Sequence, residues 1–278
     1  MKRLLCASVA FIAVALATAN TAGAADLPPA RPVYKAPVIV PPAFSWTGFY
    51  FGLNAGGHWD RDNISGAPDP VGFTAAGINP AVLSSLIGGS LHPNGFIGGG
   101  QIGYNWQTSN VVFGVETDAQ GLTGKSSRTA TPLIAAGLVP GDFTANSSNA
   151  ETLVTFRGRV GVTFDRTWLY ATGGGAWGTV KTTDTLGAVG GTLINSVTTT
   201  ANRGGWTVGG GVEQALTNNL SIKVEYLFVD LGKINDTTAP ITGFPATDIT
   251  FTHSYTENIA RAGLNYRCLL YTSPSPRD

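Results

Sequence analysis

Two kinds of side chain alternate in the stretch TGFYFGLNAGGHW, residues 47–59. The odd positions carry large apolar side chains: Phe49, Phe51, Leu53 and Trp59, with Ala55 between them. The even positions carry glycines together with Tyr50, Asn54 and His58. Successive side chains of a β-strand point to opposite faces. The stretch therefore predicts a strand with one apolar face and one smaller, more polar face.

The same period-two alternation recurs seven more times along the chain. The further predicted strands are Phe96–Gln107, Val111–Leu122, Thr152–Phe164, Thr167–Val180, Gly205–Leu216, Leu220–Leu231 and Thr256–Arg267. Short links follow the second, fourth and sixth strands, whereas long segments follow the first, third, fifth and seventh: Asp60–Gly95, Thr123–Glu151, Lys181–Gly204 and Gly232–Tyr255. Outer-membrane barrels have this order of short periplasmic turns and long external loops. The sequence thus predicts an all-β fold, an eight-stranded antiparallel transmembrane β-barrel, with a short helix at Asn79–Ile87 in its first loop.

Period two alone does not separate a membrane barrel from a soluble barrel with an apolar interior. The polar face of the predicted strands carries their charges and many small residues, which suits a crowded lumen. Aromatic residues at the strand ends suit the girdles at the membrane interfaces, and these are Trp46, Trp59, Trp106, Trp168, Trp206 and Tyr266. No segment after Trp46 resembles a transmembrane helix, and a membrane protein without such helices must be a closed barrel. A membrane barrel is favoured, with a soluble lipocalin-like barrel as the alternative.

Charge and cysteine content exclude several classes of protein. The 278-residue chain has a formal net charge of zero and only 12% charged residues. A nucleic-acid partner would require a basic stripe, so none is expected. The two cysteines are Cys6, in the predicted leader, and Cys268. The mature chain would keep one thiol, which predicts neither an internal disulfide nor a cysteine metal site.

The first residues have the pattern of a secretory signal peptide. Lys2 and Arg3 precede an apolar run, Leu4–Leu16, and the small residues Ala22–Ala25 supply a cleavage site. We predict a signal peptide at 1–25 and a proline-rich periplasmic linker at 26–45, most simply a plain spacer and alternatively a segment with affinity for peptidoglycan. The barrel is expected at 46–267, followed by an atypical tail at 268–278.

Three blocks of the chain resemble a known family. They are WTGFYFGLNAGG at 46–57, GWTVGGGVE at 205–213 and VEYLFVDLG at 224–232. These blocks resemble strands of the small alphaproteobacterial outer-membrane immunogenic proteins, a porin family with an OmpA-like barrel. The resemblance covers Trp46–Arg267 and includes the Asp26-Leu27-Pro28 start after an alanine-rich cleavage site. It implies a surface antigen of the cell envelope, located in the outer membrane of a Gram-negative cell.

The end of the eighth strand resembles the signal that the barrel-assembly machinery reads. The segment RAGLNYR, residues 261–267, supplies Gly263, Leu264 and Tyr266 to a polar-x-Gly-x-x-aromatic-x pattern. The family completes this pattern with a terminal Phe, whereas this chain has Cys268. Residues 268–278 then break the alternation and add two prolines. We interpret the tail as foreign to the barrel, as a sequencing or assembly read-through would be.

The charged residues of the polar face predict an ion-pair network inside the barrel. The inward-facing charges are Glu116, Asp118, Arg157, Arg159, Glu213, Lys223, Glu225, Arg261 and Arg267. Eight strands leave an interior that side chains can fill. Both signs occur in similar number, whereas a selective pore would show one dominant sign. A plugged barrel with poor conductance is therefore expected, and an ion pathway is the alternative.

Histidines are the remaining candidates for ligand binding. His58, His92 and His253 all lie toward the external side of the predicted barrel. Their convergence would bind haem or a metal, and some relatives in the family are associated with haemin; the simpler interpretation is three unrelated surface or rim residues. No HExxH motif, CxxC motif or phosphate-binding loop occurs. We expect no enzymatic activity, no catalytic residues, no metal and no cofactor.

The expected function is therefore structural. We expect a barrel that contributes to envelope integrity and surface exposure. Its expected partners are outer-membrane lipid, lipopolysaccharide and the barrel-assembly machinery. Two alternatives stay open: a narrow porin for small solutes, and a surface receptor that binds haem or another ligand through the external loops.

Overall fold

The computed structural model describes residues 44–130, 143–187, 193–240 and 247–268. The predicted signal peptide, nearly all of the predicted linker and the tail after Cys268 lie outside these ranges. Cys268 itself is the last residue of a strand and has an exposed free thiol. None of the helices in the described ranges is long and apolar enough to cross a bilayer.

Eight long strands form the wall, and each one overlaps a predicted strand. They are β1 (Gly48–Pro68), β3 (Asn94–Thr108), β4 (Val111–Leu122), β6 (Phe143–Phe164), β7 (Thr167–Gly187), β8 (Leu193–Ala215), β9 (Leu220–Thr237) and β10 (Ile249–Cys268). Two short strands add to the wall: β2 (Gly89–Leu91) pairs with β1, and β5 (Ser126–Ala130) pairs with β6. The helices α1 (Pro70–Ala75) and α2 (Pro80–Ile87) lie between β1 and β2 in the chain.

Antiparallel pairing closes the eight long strands into a ring. Each strand pairs with the next one in the wall, and β10 pairs with β1 over the full span from Phe49↔Cys268 to Pro68↔Ile249. A closed ring has no free strand edge, so the wall satisfies the backbone hydrogen bonds that lipid cannot satisfy. The predicted eight-stranded antiparallel barrel is confirmed.

The turns at one end of the barrel are short, as predicted. Ser109–Asn110 joins β3 to β4, and Asp165–Arg166 joins β6 to β7. Ser109 and Asp165 have φ of 57° and 54°, the left-handed conformation that tight hairpin turns need. Thr108 belongs to β3, because it pairs with Val111, so the first link is one residue shorter than predicted.

Apolar side chains cover the outside of the barrel near its short-turn end. On β1 these are Phe49, Phe51, Leu53 and Trp59, and Leu53 is 73% exposed. We call this band, with its counterparts on the neighbouring strands, the apolar belt. Large apolar side chains on the outside match lipid and not water. The membrane-barrel prediction is therefore confirmed, and the soluble barrel, which would have this face inside, is excluded.

Two of the six predicted girdle aromatics are inside the barrel. Trp59, Trp106, Trp206 and Tyr266 are each about half exposed on the outer face, but Trp46 and Trp168 are 1% and 0% exposed. Trp46 has the same parity as inward-facing Tyr50, and parity sets the side of the wall. A position at a strand end therefore did not predict the face, and these two assignments were wrong.

Most wall strands continue beyond the belt into segments that were predicted as loops. β6 begins at Phe143, nine residues before the predicted start, and β8 begins at Leu193, twelve residues before it. Outward-facing Thr, Ser and Asn side chains replace apolar ones there, and pairs such as Thr183–Thr198 lie 3.1 Å apart across neighbouring strands. β-branched and polar residues allow the strands to stay paired by backbone hydrogen bonds while their side chains face water. The barrel is therefore taller than the membrane belt.

The first external loop folds back onto the long-connection end of the barrel. Asn79 caps α2 by accepting hydrogen bonds from Ala81 N and Val82 N, which matches the predicted helix at Asn79–Ile87. Buried apolar side chains of α1 and α2 join inward-facing residues of the wall in one cluster: Ile64, Phe73, Ile78, Leu83, Ile87, Leu91, Leu186, Ile249 and Phe251. We call this cluster the external cap.

Candidate functional site in the barrel lumen

The inward-facing side chains form layers along the barrel axis. On β10 the inward positions read Arg267, Asn265, Gly263, Arg261, Ile259, Glu257, Tyr255, His253 and Phe251, from the short-turn end to the external cap. An aromatic layer around Trp46 lies beside Arg267, and a charged layer, an apolar layer, a histidine–carboxylate layer and the cap follow it. The sequence predicts one polar lumen, whereas the structure has polar and apolar layers in turn.

Arg157 is the centre of the charged layer. Its guanidinium nitrogens lie 2.5 Å from Glu116, 2.7 Å from Asp118 and 2.9 Å from Glu225, and all four side chains are fully buried. Arg157 Nε also donates to Thr155 Oγ1 at 3.0 Å. Planar, five-donor geometry allows one arginine to bind several carboxylates at once. This side chain therefore joins β4, β6 and β9 across the lumen.

Three further cations complete the charged layer. Lys223 Nζ lies 2.9 Å from Glu116, and Arg261 lies 2.6 Å from Glu225 and 3.1 Å from Asp118. Arg159 lies 3.1 Å from Glu116 and 2.8 Å from Glu213. We call this set the charged network: Glu116, Asp118, Arg157, Arg159, Glu213, Lys223, Glu225 and Arg261. Four cations face four carboxylates, so the network is neutral, as buried ions require.

Two tyrosines that were not among the predicted site residues extend the charged network. Tyr50 donates to Glu116 at 2.8 Å and accepts from Arg159 at 2.7 Å. Tyr170 donates to Glu225 at 3.1 Å. Glycine makes room for both rings: a Cβ at Gly103 would lie 2.3 Å from the Tyr50 hydroxyl, and a Cβ at Gly211 would lie 2.7 Å from the Tyr170 hydroxyl. Inward glycines are therefore the sequence signal that large lumen side chains lie opposite.

Arg267, the ninth predicted network residue, lies apart from the other eight. It donates to the backbone carbonyl oxygens of Ser45 and Asn218 at the short-turn end, and its guanidinium carbon lies 4.5 Å from the Phe44 ring centroid. Trp46 packs between Phe44 and Trp168, edge-on to Phe44, with centroid distances of 5.2 and 5.7 Å. This aromatic layer fills the barrel end. Arg267 therefore anchors the segment before β1 and has no ion pair among the described residues.

An apolar layer, at whose height His58 and Glu257 are also buried, follows the charged network. It consists of Ile97, Leu122, Ala150, Leu153, Ala176, Val180, Leu227, Val229, Leu231, Ile234, Tyr255 and Ile259. The sequence pattern of β9 does not predict this layer. Its inward residues there are Leu227, Val229 and Leu231, and its outward residues are Val224, Tyr226 and Phe228. Both faces of that strand are apolar there, so period two gives no sign of which is inside.

The three histidines do not converge. His58 and His253 are buried in the lumen at different heights, since His253 lies opposite Ile64, six residues further along β1. His92 is exposed beyond β2. A site formed by all three is therefore absent, because β1 and β10 point His58 and His253 inward while the loop points His92 to solvent.

His253 lies between two buried carboxylates above the apolar belt. Its Nδ1 is 2.8 Å from Asp62 and its Nε2 is 3.0 Å from Asp184. Burial alone would lower the pKa of His253, but the hydrogen bonds and charges of Asp184 and Asp62 outweigh burial and raise the pKa to about 10. His253 is therefore an imidazolium at neutral pH and links β1, β7 and β10.

Several carboxylates of the external half were missed at the sequence level. Asp60 and Asp62 have the same parity as His58, so continuing the first strand past Trp59 would have placed them inside. Asp184, Asp236 and Glu257 are likewise buried. The segments that carry four of these five were interpreted as loops, for which parity gives no orientation.

The residues of the predicted assembly signal lie on β10. Leu264 and Tyr266 face outward in the apolar belt and are each 48% exposed. Gly263 faces inward, where a Cβ would lie 3.2 Å from the Lys223 side chain. The outward pair is thus accessible to lipid or to a protein that reads the strand from the membrane side.

Comparison with known proteins gives a family match over nearly the whole chain. A family described as "Outer membrane protein beta-barrel domain" matches residues 10–267. A 31 kDa outer-membrane immunogenic protein of Brucella melitensis is 37% identical over 270 residues, which is 94% of this chain and 99% of the relative. A 22 kDa outer membrane protein of Rhizobium leguminosarum is 30% identical and covers 82% of this chain and 81% of the relative.

Solved structures give a weaker likeness. The crystal structure of the outer membrane protein OprG from Pseudomonas aeruginosa aligns with a TM-score of 0.44 and 9% identity, over 81% of this chain and 99% of that chain. A likeness at this level says nothing about function.

Proposed function

The chain belongs to the outer-membrane β-barrel domain family, and on this premise we propose that it is a sealed structural barrel that contributes to envelope integrity and displays its external loops at the cell surface. The chain is an outer-membrane protein, because its family and its 30–37% identical relatives are outer-membrane proteins. The proposal concerns what the barrel does there.

The observation that carries the proposal is the charged network. Eight fully or almost fully buried ionic side chains cross the lumen at the height of the apolar belt, and their four positive and four negative charges cancel. A barrel of eight strands has an interior only wide enough for side chains. Ion pairs that cross-link strands at this height fill the path that a solute would take.

The other lumen layers support the same proposal and weigh against the alternative of a narrow porin. The aromatic layer around Trp46 occupies the short-turn end, and the external cap packs α1 and α2 against the other end. The apolar layer between the charged network and the cap would add a dewetted barrier to ions. A solute would have to displace all five layers, including the histidine–carboxylate layer.

Conductance in planar bilayers tests the sealed lumen. We expect the full-length refolded protein to give no large, steady channels. The matched control is the triple variant Arg157→Ser, Arg261→Ser, Leu227→Ala, which removes side chains from the charged and apolar layers without changing the outer face. Channels in the variant and none in the wild type support the proposal, whereas steady wild-type channels of similar size refute it.

Labelling of intact cells tests the display of the external loop. Val71 in α1 is 73% exposed, and Cys268 is at the opposite end of the barrel. A membrane-impermeant maleimide should label Val71→Cys in a Cys268→Ser background. Wild-type Cys268 should react only after the cells are lysed. The reverse pattern would mean that the short-turn end faces outward.

A deletion strain tests the contribution to envelope integrity. We expect higher sensitivity to detergents and large hydrophobic antibiotics, with unchanged uptake of small hydrophilic solutes. Lost solute uptake with intact detergent resistance would instead support the porin alternative. Outer-membrane lipid, lipopolysaccharide, the barrel-assembly machinery and peptidoglycan are the proposed partners, with Leu264 and Tyr266 as the residues that assembly factors would read.

Absence of catalysis is part of the same proposal. The carboxylates Glu116, Asp118, Glu213 and Glu225 are all engaged by cations, so none is free to act as an acid or base. A receptor role for haem has no three-histidine site to use, because His92 does not join the other two.

A further inference from the structure

Three metal-ligating side chains meet in the lumen between the charged network and His253. His58 and Asp60 of β1 and Glu257 of β10 are all buried, and the ligand atoms that they offer lie within 4.8 Å of one another. Asp60 and Glu257 are directly opposite in the β1–β10 register. The ladder that closes the barrel therefore holds two carboxylates opposite each other, with a histidine nitrogen close to both.

Glu257 lacks the partners that a buried carboxylate needs. It is 1% exposed, and neither of its carboxylate oxygens accepts a hydrogen bond from any described residue. Its nearest cationic group is His58, whose Nδ1 lies 3.8 Å away. A carboxylate buried without hydrogen bonds is costly unless a cation or a proton compensates it. This orphaned group faces the other two members of the cluster.

The hydrogen bonds of His58 orient its imidazole ring as the hydrogen bonds of metal-binding histidines do. Nε2 lies 2.7 Å from the carbonyl oxygen of Thr123, which can only accept, so Nε2 carries a proton and donates it. Nδ1 then faces the carboxylates and lies 2.9 Å from Asp60, which can only accept, so Nδ1 carries the proton that a metal ion would replace. Metal-binding histidines characteristically donate their other ring N–H to a backbone carbonyl or a carboxylate.

Asp60, the first candidate carboxylate ligand, is also oriented by a hydrogen bond from outside the cluster. The Tyr255 hydroxyl donates to Oδ2 of Asp60, while Oδ1 of Asp60 faces His58. A hydrogen bond to one oxygen orients the other toward the centre of the cluster, and such second partners fix ligand carboxylates in metal sites. Two of the three candidate ligands are thus oriented by groups outside the cluster.

We propose that His58, Asp60 and Glu257 bind one divalent first-row transition-metal ion, for which Zn²⁺ is the probe. Imidazole suits zinc, iron, copper and nickel, and carboxylates add the charge that a dication needs. Three protein ligands leave at least one position for water. The ion would cross-link β1 to β10, the pair that closes the ring, so the site adds a metal-dependent clamp to the sealed barrel.

A second buried cluster differs because its carboxylates have hydrogen-bond partners, whereas Glu257 has none among the described residues. Asp184, Asp236 and His253 also meet within 4.8 Å. There, both carboxylates already accept hydrogen bonds: Asp184 from Asn146 at 2.6 Å and from His253 at 3.0 Å, and Asp236 from Thr182 at 2.7 Å. Neither carboxylate of this cluster lacks a hydrogen bond as Glu257 does, so Asp236 serves as the control position.

Metal binding to the full-length chain, refolded in detergent with Zn²⁺, tests the proposal. After free metal is removed, we expect one bound Zn²⁺ per chain by elemental analysis and a higher urea midpoint than for the chelator-treated protein. His58→Gln and Glu257→Gln should each weaken binding by at least about tenfold, and Tyr255→Phe by about 10–100-fold, as outer partners of metal ligands do. Asp236→Asn should bind as the wild type does.

Three results would overturn the site. One is no stoichiometric Zn²⁺ in the folded wild type, which would mean that protons alone satisfy Glu257. The second is loss of binding in Asp236→Asn with retention in Glu257→Gln, which would move the ion to the other cluster. The third is an X-ray absorption spectrum of the Zn²⁺-loaded wild type that shows no imidazole scattering. This measurement uses no variant, so it tests the site even if the variants fail to fold.

Discussion

Removal of the central guanidinium of the charged network should destabilise the barrel strongly. Arg157→Gln keeps a shorter polar side chain but removes the charge that neutralises three carboxylates. Glu116, Asp118 and Glu225 lie 2.5, 2.7 and 2.9 Å from Arg157, and all four side chains are 0% exposed. The network would change from four cations and four anions to three cations and four anions, with one negative charge left in the lumen.

The size of the stability loss follows from the burial of the ion pairs that Arg157 makes. A surface ion pair contributes about 0–1 kcal/mol, because water screens both charges. Breaking a buried pair by removing one partner costs about 3–5 kcal/mol, since the remaining charge is neither paired nor hydrated. With a urea slope of about 1–3 kcal/mol per molar, that loss lowers the unfolding midpoint by at least about 1 M.

Urea unfolding of protein refolded into lipid vesicles measures this loss, with tryptophan fluorescence and the heat-dependent gel shift as two readouts. The matched control is Arg61→Gln, which removes the same charge from the exposed outer face of β1 and should stay within about 0.5 kcal/mol of wild type. The double variant Arg157→Gln, Asp118→Asn restores a neutral network. It should therefore lose less than the sum of the two single variants.

The reasoning would be refuted by an Arg157→Gln loss no larger than that of Arg61→Gln. Strict additivity of the double variant would also refute it, because it would mean that Arg157 and Asp118 do not compensate each other in the lumen.

Three other perturbations have expected outcomes. Gly103→Val should lower the free energy of unfolding by about 1–3 kcal/mol through overpacking, since its Cβ would lie 2.3 Å from the Tyr50 hydroxyl. Gly98→Val is the control on the outer face: its Cβ would lie 3.7 Å from its nearest neighbour, so the urea midpoint should not change. The stability that wild type has over His253→Gln should be full below about pH 6.5 and should disappear as the pH rises through about 10, because the folded pKa lies above the unfolded one; a difference that does not vary with pH would contradict this. Trp46→Ala should cost about 3–5 kcal/mol in the same urea titration, because the indole is 1% exposed in the aromatic layer; a loss below 1 kcal/mol would show that this layer does not hold the barrel end.

The two halves of the barrel differ in how far sequence reasoning reached. Within the apolar belt, alternation identified all eight strands, and Val111–Leu122 has the predicted bounds. Beyond the belt, the outward residues become Thr, Ser and Asn, so the contrast between the faces fades and strands were interpreted as loops. The cluster of His58, Asp60 and Glu257 lies where that contrast ends, which is why its carboxylates were not anticipated.

The sequence by itself determined the strand number, the closed barrel, the apolar outer face and the parity that turns Glu116, Arg157 and Glu225 inward, because each follows from local period-two spacing. Only the tertiary structure decided which inward charges meet, that Arg267 stands apart, that Trp46 and Trp168 lie inside the barrel, and that His92 is separate from the other histidines. These are contacts between strands far apart in the chain. They depend on the register and height at which the ring closes, which no local pattern encodes.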